Sequence, residues 1–273
     1  MWLNVPMPSI KISYSNENLK ADAETLAAKL GLGLQGSSGD EKVLPKADYL
    51  LTFKPSGLCL ESTQQGGHGP IRCDFDSGTI THRRKYGGGN GQSIAKAVGI
   101  SGKFMPHVLD LTAGMGSDGF VLAGLGCRLT LLERNSIVYS LLYDGLQRAS
   151  LAGMGDSGLA EVVARIDLLE ADSLTYLQSL ESAQLPDVIY IDPMFPARKK
   201  SAKVKKEMQV FHGIVGADED AAELLLLALQ RAKYRVVVKR SAAAGHLGEM
   251  APSYSREGKT TRFDVYALHR LPS

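Results

Sequence analysis

The sequence has little of what usually settles a protein's class early. It has only three cysteines, Cys59, Cys73 and Cys127, an odd and widely spaced set with no C-x-x-C pair. That excludes a disulfide framework and points to buried thiols in a reducing compartment. No cluster of His, Cys and acidic residues has metal-ligand spacing, so no metal is expected. Long apolar runs are lacking. The longest, within Ala221 to Leu229, is broken by Glu223 and falls far short of the roughly 20 residues a membrane helix needs. The opening Met-Trp-Leu-Asn-Val-Pro-Met-Pro has no basic stretch followed by an apolar one, so neither export nor membrane attachment is expected, and the cytoplasm is the expected location. An excess of charge of one sign is missing too, since 31 Lys and Arg against 29 Asp and Glu leave a net +2. Composition alone therefore gives no support for nucleic-acid binding.

The distribution of charge does give some. Arg198, Lys199, Lys200, Lys203, Lys205 and Lys206 crowd together, and His82, Arg83, Arg84 and Lys85 precede the glycine-rich Gly87-Gly-Gly-Asn-Gly91. Local basic patches on a balanced chain suggest a defined polyanion contact. A loop nearly without Cβ atoms lets a phosphate approach closely.

With 273 residues, 44% hydrophobic, the chain is long enough for one large domain or a large and a small one. Residues 1–90 read as a small α/β unit. Strands are expected over Ile10–Tyr14, Tyr49–Phe53, Leu58–Glu61 and Ile71–Phe75, and a helix over Asn18–Leu30. Residues 91–273 alternate. Strands near 107–111, 128–133, 163–169, 187–192 and 234–239 are separated by helical patterns near 117–125, 136–149, 173–182 and 217–232. This predicts an α/β fold with a doubly wound, Rossmann-like parallel sheet, and Thr261–His269 is expected as an antiparallel strand closing its edge.

The centre of that pattern is Val108-Leu-Asp110-Leu-Thr-Ala-Gly114-Met-Gly116-Ser117-Asp118-Gly119, a strand that enters a helix through glycines and suits a nucleotide-like ligand. The G-x-G-x-x-G spacing also occurs at Gly31, Gly33 and Gly36, where it follows a helix and reads as a cap and loop. Ligands of a doubly wound sheet lie at the C-terminal strand ends, and four such ends carry an acid: Asp110, Glu133, Asp172 and Asp192. Glu133, 19 residues beyond Gly114, suits ribose hydroxyls of NAD or S-adenosylmethionine equally. Asp172 before Ser173 is equally an N-cap.

The fourth strand ends in Asp192-Pro193-Met194-Phe195-Pro196, which resembles the (Asp/Asn)-Pro-Pro-(Tyr/Phe) motif of class I methyltransferases acting on exocyclic base amines. An aromatic amine is a weak nucleophile because its lone pair is delocalised. Asp192, with a carbonyl of the rigid Pro193 loop, accepts hydrogen bonds from it, and Phe195 offers a face for the base, worth about 1–3 kcal/mol. Together with His82-Arg-Arg-Lys-Tyr-Gly-Gly-Gly89, Leu132-Glu-Arg-Asn135, Val204-Lys-Lys-Glu-Met208, Val236-Val-Val-Lys-Arg240 and Arg262-Phe-Asp264, these blocks resemble the bacterial RsmJ family of 16S ribosomal RNA guanine-N2 methyltransferases. The resemblance implies S-adenosylmethionine contacts at Ser117, Asp118, Glu133, Arg134, Asp172, Ser173 and Asp192, with Asp110, Gly114 and Gly116 around its methionine portion. Arg83, Arg84, Lys85, Arg198, Lys199 and Lys200, with His82, would then meet the RNA.

Two other classes compete. An NAD-dependent oxidoreductase accounts for the glycine turn and Glu133 but not for Asp192-Pro-Met-Phe or the basic clusters. A non-catalytic RNA-binding protein on the same fold has no need of intact Asp110, Glu133 and Asp192.

Overall fold

The computed structural model describes residues 8–36, 47–64, 69–75, 92–193, 214, 220–258 and 260–272. The chain divides into two compact units. One takes the residues up to Cys73 together with Ser136–Gly145. The other takes 74–135, 146–193 and the described residues from Asp220 onward. The boundary expected at residue 90 lies outside the described residues.

The first unit carries a three-stranded sheet of order β1-β2-β3. Strand β1 (Ile10–Tyr14) leads through helix α1 (Lys20–Leu30) to β2 (Tyr49–Lys54), which pairs parallel to β1. A tight turn at Pro55-Ser56 then returns the chain as β3 (Gly57–Ser62). Gly31 ends α1 in the left-handed region at φ 64°, the capping role its place after a helix implies. Ile71–Phe75, expected as a strand, makes a single bridge from Ile71 to Leu60, too little for a ladder.

The second unit contains α2 (Ser93–Val98), β4 (His107–Asp110), α3 (Ser117–Gly124), β5 (Arg128–Glu133), α4 (Ser136–Ala152, which begins in the first unit), α5 (Ser157–Val163), β6 (Ile166–Glu170), α6 (Ser173–Ser179), β7 (Val188–Ile191), α7 (Ala221–Arg231), β8 (Arg235–Ser241), β9 (Tyr254–Glu257) and β10 (Thr261–Ala267). Its seven-stranded sheet has the order β6-β5-β4-β7-β8-β10-β9. The first five strands run parallel, and β10 pairs antiparallel with both β8 and β9. The strand expected to close the edge is therefore internal, and β9 closes it instead. Helix α5, absent from the sequence reading, takes Val163 from the expected third strand. Asp156 starts it by accepting the Leu159 N–H at 3.1 Å.

Strand alternation sorts the side chains between the two faces. Leu109, Leu111, Ile189, Ile191, Val236 and Val238 form one core with Leu177 of α6 and Leu224, Leu225 and Ala228 of α7. The alternate positions, Asp110, Tyr190, Asp192 and Lys239, point to the opposite face. Helix α3 packs there closely, since a Cβ on Gly119 would lie 2.7 Å from Leu131 Cδ2. Cys59, Cys73 and Cys127 are buried thiols, and burial pushes Cys59 up to about 11 and Cys127 up to about 12.

Candidate active site

The C-terminal ends of β4, β5, β6, β7 and β8 form one rim of the second unit. Leaving β4, the chain turns through Gly114 at φ 54° and Gly116 at φ 71°, both in the left-handed region where glycine is favoured, and enters α3 at Ser117. The turn is tied to the rest of the rim. Glu133, last in β5 and buried, accepts the Gly114 N–H on Oε2 at 2.9 Å and the Asn135 N–H on Oε1 at 2.8 Å. Each carboxylate oxygen has two lone pairs, so these bonds orient Glu133 without exhausting its capacity to accept ribose hydroxyls.

The other expected contacts fall into two groups. Exposed on the rim are Ser117, Arg134, which is paired with Asp220 at 2.7 Å, and Asp172. Asp172 is the N-cap of α6, accepting the Thr175 N–H at 2.9 Å, and that bond lowers its pKa. Ser173 is buried instead, its hydroxyl donating to the Leu111 carbonyl at 2.6 Å. It braces the exit of β4, so its hydroxyl hydrogen is already engaged by the Leu111 carbonyl.

A cluster sits beyond β4. The registers pair Asp110 with Tyr190 and Tyr190 with Val237. Two residues further on, the same alternation brings Asp192 and Lys239 side by side. Lys239 Nζ lies 2.7 Å from Asp118 Oδ2 and 2.8 Å from Asp192 Oδ2. The Tyr190 hydroxyl donates to Asp118 Oδ2 at 2.7 Å. The Asp192 N–H donates to Thr112 Oγ1 at 2.7 Å, which fixes the residue to the exit of β4, and Pro193 behind it is buried. Asp110 is 3% exposed and accepts the Thr112 N–H at 3.0 Å. Burial, reinforced by the nearby Asp118 and Asp192, pushes Asp110 up to about 7 despite that bond and Lys239. Burial also raises Tyr190 far above its usual range, with Asp118 adding to it, so the phenol remains a donor.

Sequence reasoning missed Lys239, Tyr190 and Thr112 as site residues. A lysine ending the apolar run Val236–Val238 was the available signal, but its meaning depends on β7 and β8 being neighbours. Phe195, His82, Arg83, Arg84, Lys85, Arg198, Lys199 and Lys200 lie outside the described residues.

The donor set distinguishes between cofactors. Asp110, Glu133, Asp172 and Asp192 stand at or just beyond the strand ends of the rim and Asp118 in the first turn of α3, while Lys239 and Arg134 are each paired with carboxylate. A dinucleotide pyrophosphate would meet net repulsion here. A cofactor with ribose hydroxyls and a cationic sulfonium meets acceptors and favourable charge. Among the described residues no group of three or more His, Cys, Asp or Glu could hold a metal ion, and no described helix is long and apolar enough to cross a membrane.

Comparison with known proteins agrees with this chemistry. A family model described as a putative SAM-dependent methyltransferase matches residues 40–268. The ribosomal RNA small subunit methyltransferase J of Cellvibrio japonicus is 49% identical over 97% of this chain and 100% of its own length. The protein of the same name from Marinobacter nauticus is 47% identical over 92% of this chain and 88% of its own length. Among solved structures, a SAM-dependent methyltransferase from Neisseria gonorrhoeae is 35% identical, with a TM-score of 0.68 over 94% of this chain and 95% of its own. On these matches, the chain belongs to the ribosomal RNA small subunit methyltransferase J (RsmJ) family of S-adenosylmethionine-dependent methyltransferases.

Proposed function

We propose that this enzyme methylates the exocyclic N2 amine of a specific guanosine in 16S ribosomal RNA, acting in the cytoplasm on the RNA or the small subunit. The observation that carries the reading is Asp192, held at the end of β7 beside the glycine turn of β4 and followed by Pro193. Relatives named for ribosomal RNA methylation support the substrate class.

S-adenosylmethionine supplies a methyl carbon made electrophilic by its sulfonium. The chain's own residues bind and align. Gly114 and Gly116 with Asp110, Ser117 and Asp118 hold the methionine end. Glu133 and Arg134 hold the ribose, and Asp172 and Ser173 form the wall beside the adenine, Ser173 through its brace on Leu111. Asp192 accepts a hydrogen bond from the guanine amine and favours its pyramidal, more nucleophilic geometry. It is also an acceptor for the proton the amine loses. Phe195 stacks on the base, and Pro193 limits the freedom of the loop, so less ordering entropy is lost on binding. Much of the rate enhancement would then come from these residues holding the amine within reach of the cofactor's methyl carbon. His82, Arg83, Arg84, Lys85, Arg198, Lys199 and Lys200 pair with RNA phosphates. The division into a small domain over 1–90 and a methyltransferase domain over 91–273 belongs to the same proposal.

Mass mapping of ribosomal RNA nucleosides tests it. Cells lacking the gene should lose one N2-methylguanosine from 16S RNA. The wild-type gene should restore it, and Asp192→Ala, folded by circular dichroism, should methylate at least about a hundredfold more slowly. An unchanged nucleoside profile, or full restoration by Asp192→Ala, refutes the proposal.

A further inference from the structure

Lys239 follows the apolar run Val236–Val238 of β8 with an ammonium that burial alone would tend to discharge. Burial does oppose its charge, but Asp192 and then Asp118 outweigh that opposition and raise its pKa. Both carboxylates reach the same nitrogen through Oδ2, at 2.7 Å for Asp118 and 2.8 Å for Asp192, which places them close enough to repel without it. Among the described residues, the groups facing this point are Asp110 from β4, Asp118 from α3, Tyr190 and Asp192 from β7 and its exit, and Lys239 from β8. They amount to three acids, one cation and a phenol. Asp118 has a second donor in Tyr190. Asp192 is tied at its backbone by Thr112 and at its carboxylate by Lys239.

We propose that Lys239 is the positioning residue of the methyl transfer: by sharing one ammonium between Asp118 and Asp192, it holds the Asp192 carboxylate in place and in its accepting, anionic form. A protonated Asp192 keeps one accepting oxygen but presents an O–H on the other and has no capacity for the proton the amine loses. The proposal rests on Asp192 receiving the guanine amine.

The test is the pH profile of kcat at saturating S-adenosylmethionine and RNA. In Lys239→Met, kcat at neutral pH should fall at least about tenfold, and its acid limb should move up by about one to three pH units, with partial recovery in alkali. Lys239→Arg keeps the charge and should keep the wild-type limb. The same shift should appear in an Asp110→Asn background, which removes the other acid that Lys239 influences. Without RNA or cofactor, the Asp192 carboxyl carbon resonance, assigned by its loss in Asp192→Asn, should titrate at higher pH in Lys239→Met than in wild type. If Lys239→Met does not fold, Asp118→Asn carries the test. It gives Lys239 wholly to Asp192 and should move the limb down. An unmoved limb, an equal shift in Lys239→Arg, a shift lost with Asp110→Asn, or an upward shift in Asp118→Asn overturns the proposal. A wild-type rate in Asp192→Ala instead overturns the role of Asp192 itself, so the two failures are distinguishable.

Discussion

The carboxylate of Asp264 is 0% exposed in β10, and its removal tests how the antiparallel side of the sheet is held. Oδ1 accepts from Ser255 Oγ at 2.6 Å and Arg262 Nε at 2.8 Å, while Oδ2 accepts from Arg262 Nη2 at 2.9 Å and lies 3.1 Å from His246 Nδ1. Burial pushes its pKa up, but Arg262, Ser255 and His246 more than offset this, and the net shift is downward. In Asp264→Ala the Arg262 side chain, 11% exposed, is left facing Arg240 across the ladder without its counter-ion. Breaking such a pair from one side costs about 3–5 kcal/mol, which lowers Tm by about 10 °C in a protein of this size. Because the folded pKa is depressed, Asp264 stabilises above its unfolded value of 3.8 and loses that contribution as pH falls through the folded one. The gap between variant and wild type should therefore narrow in acid. Replacing both partners, Arg262→Leu with Asp264→Leu, should recover most of the loss, because no buried charge is then stranded. Thermal denaturation of wild type, Arg262→Leu, Asp264→Leu and the double variant measures this as a cycle, with Asp264→Ala run beside it. A loss below about 1 kcal/mol in Asp264→Ala, or a double variant as unstable as that single one, refutes the reasoning.

Two further predictions concern the site. Asp110, raised from 3.8 to about 7, takes up a proton on folding between those values, so stability falls as pH rises through that window. Asp110→Asn keeps an acceptor for the Thr112 N–H and should be the more stable protein at pH 8, by at most about 4 kcal/mol. The advantage should vanish below about pH 4, and pH-dependent denaturation that shows no such crossover contradicts it. Ser173→Ala strands the buried Leu111 carbonyl and should cost about 1–3 kcal/mol. Thermal-shift titration with S-adenosylhomocysteine should also show weakened binding, since the β4 exit loses its brace. Unchanged affinity would separate Ser173 from the site.

Legibility in the sequence followed the strength of the local pattern. The five parallel strands are short apolar runs between amphipathic helices, and their positions were readable to within a few residues. Ile71–Phe75 has the composition of a strand, but a strand needs a partner along its length, and only Ile71 finds one. Strand β9, Tyr254-Ser-Arg-Glu257, is mostly exposed at a sheet edge, so no apolar alternation marks it. At the site, Asp110, Glu133, Asp172 and Asp192 were legible because each ends or follows a strand. Ser173 was legible as a position, but its inward hydrogen bond to Leu111 depends on where β4 lies.

The sequence by itself determined the succession of the five parallel strands, the glycine turn that can take positive φ, and the acids at the strand ends. It also carried the family resemblance, because motif blocks are local properties of a chain. Only the tertiary structure decided the strand order β6-β5-β4-β7-β8-β10-β9 and the registers within it. Those registers place Lys239 of β8 between Asp192 and Asp118, residues far from it in sequence, and bury Asp110 beneath them. The physical reason is that hydrogen-bonded pairing between strands is non-local. Alternation along one strand says which face a side chain takes, but which charge it meets there is set by the neighbouring strand.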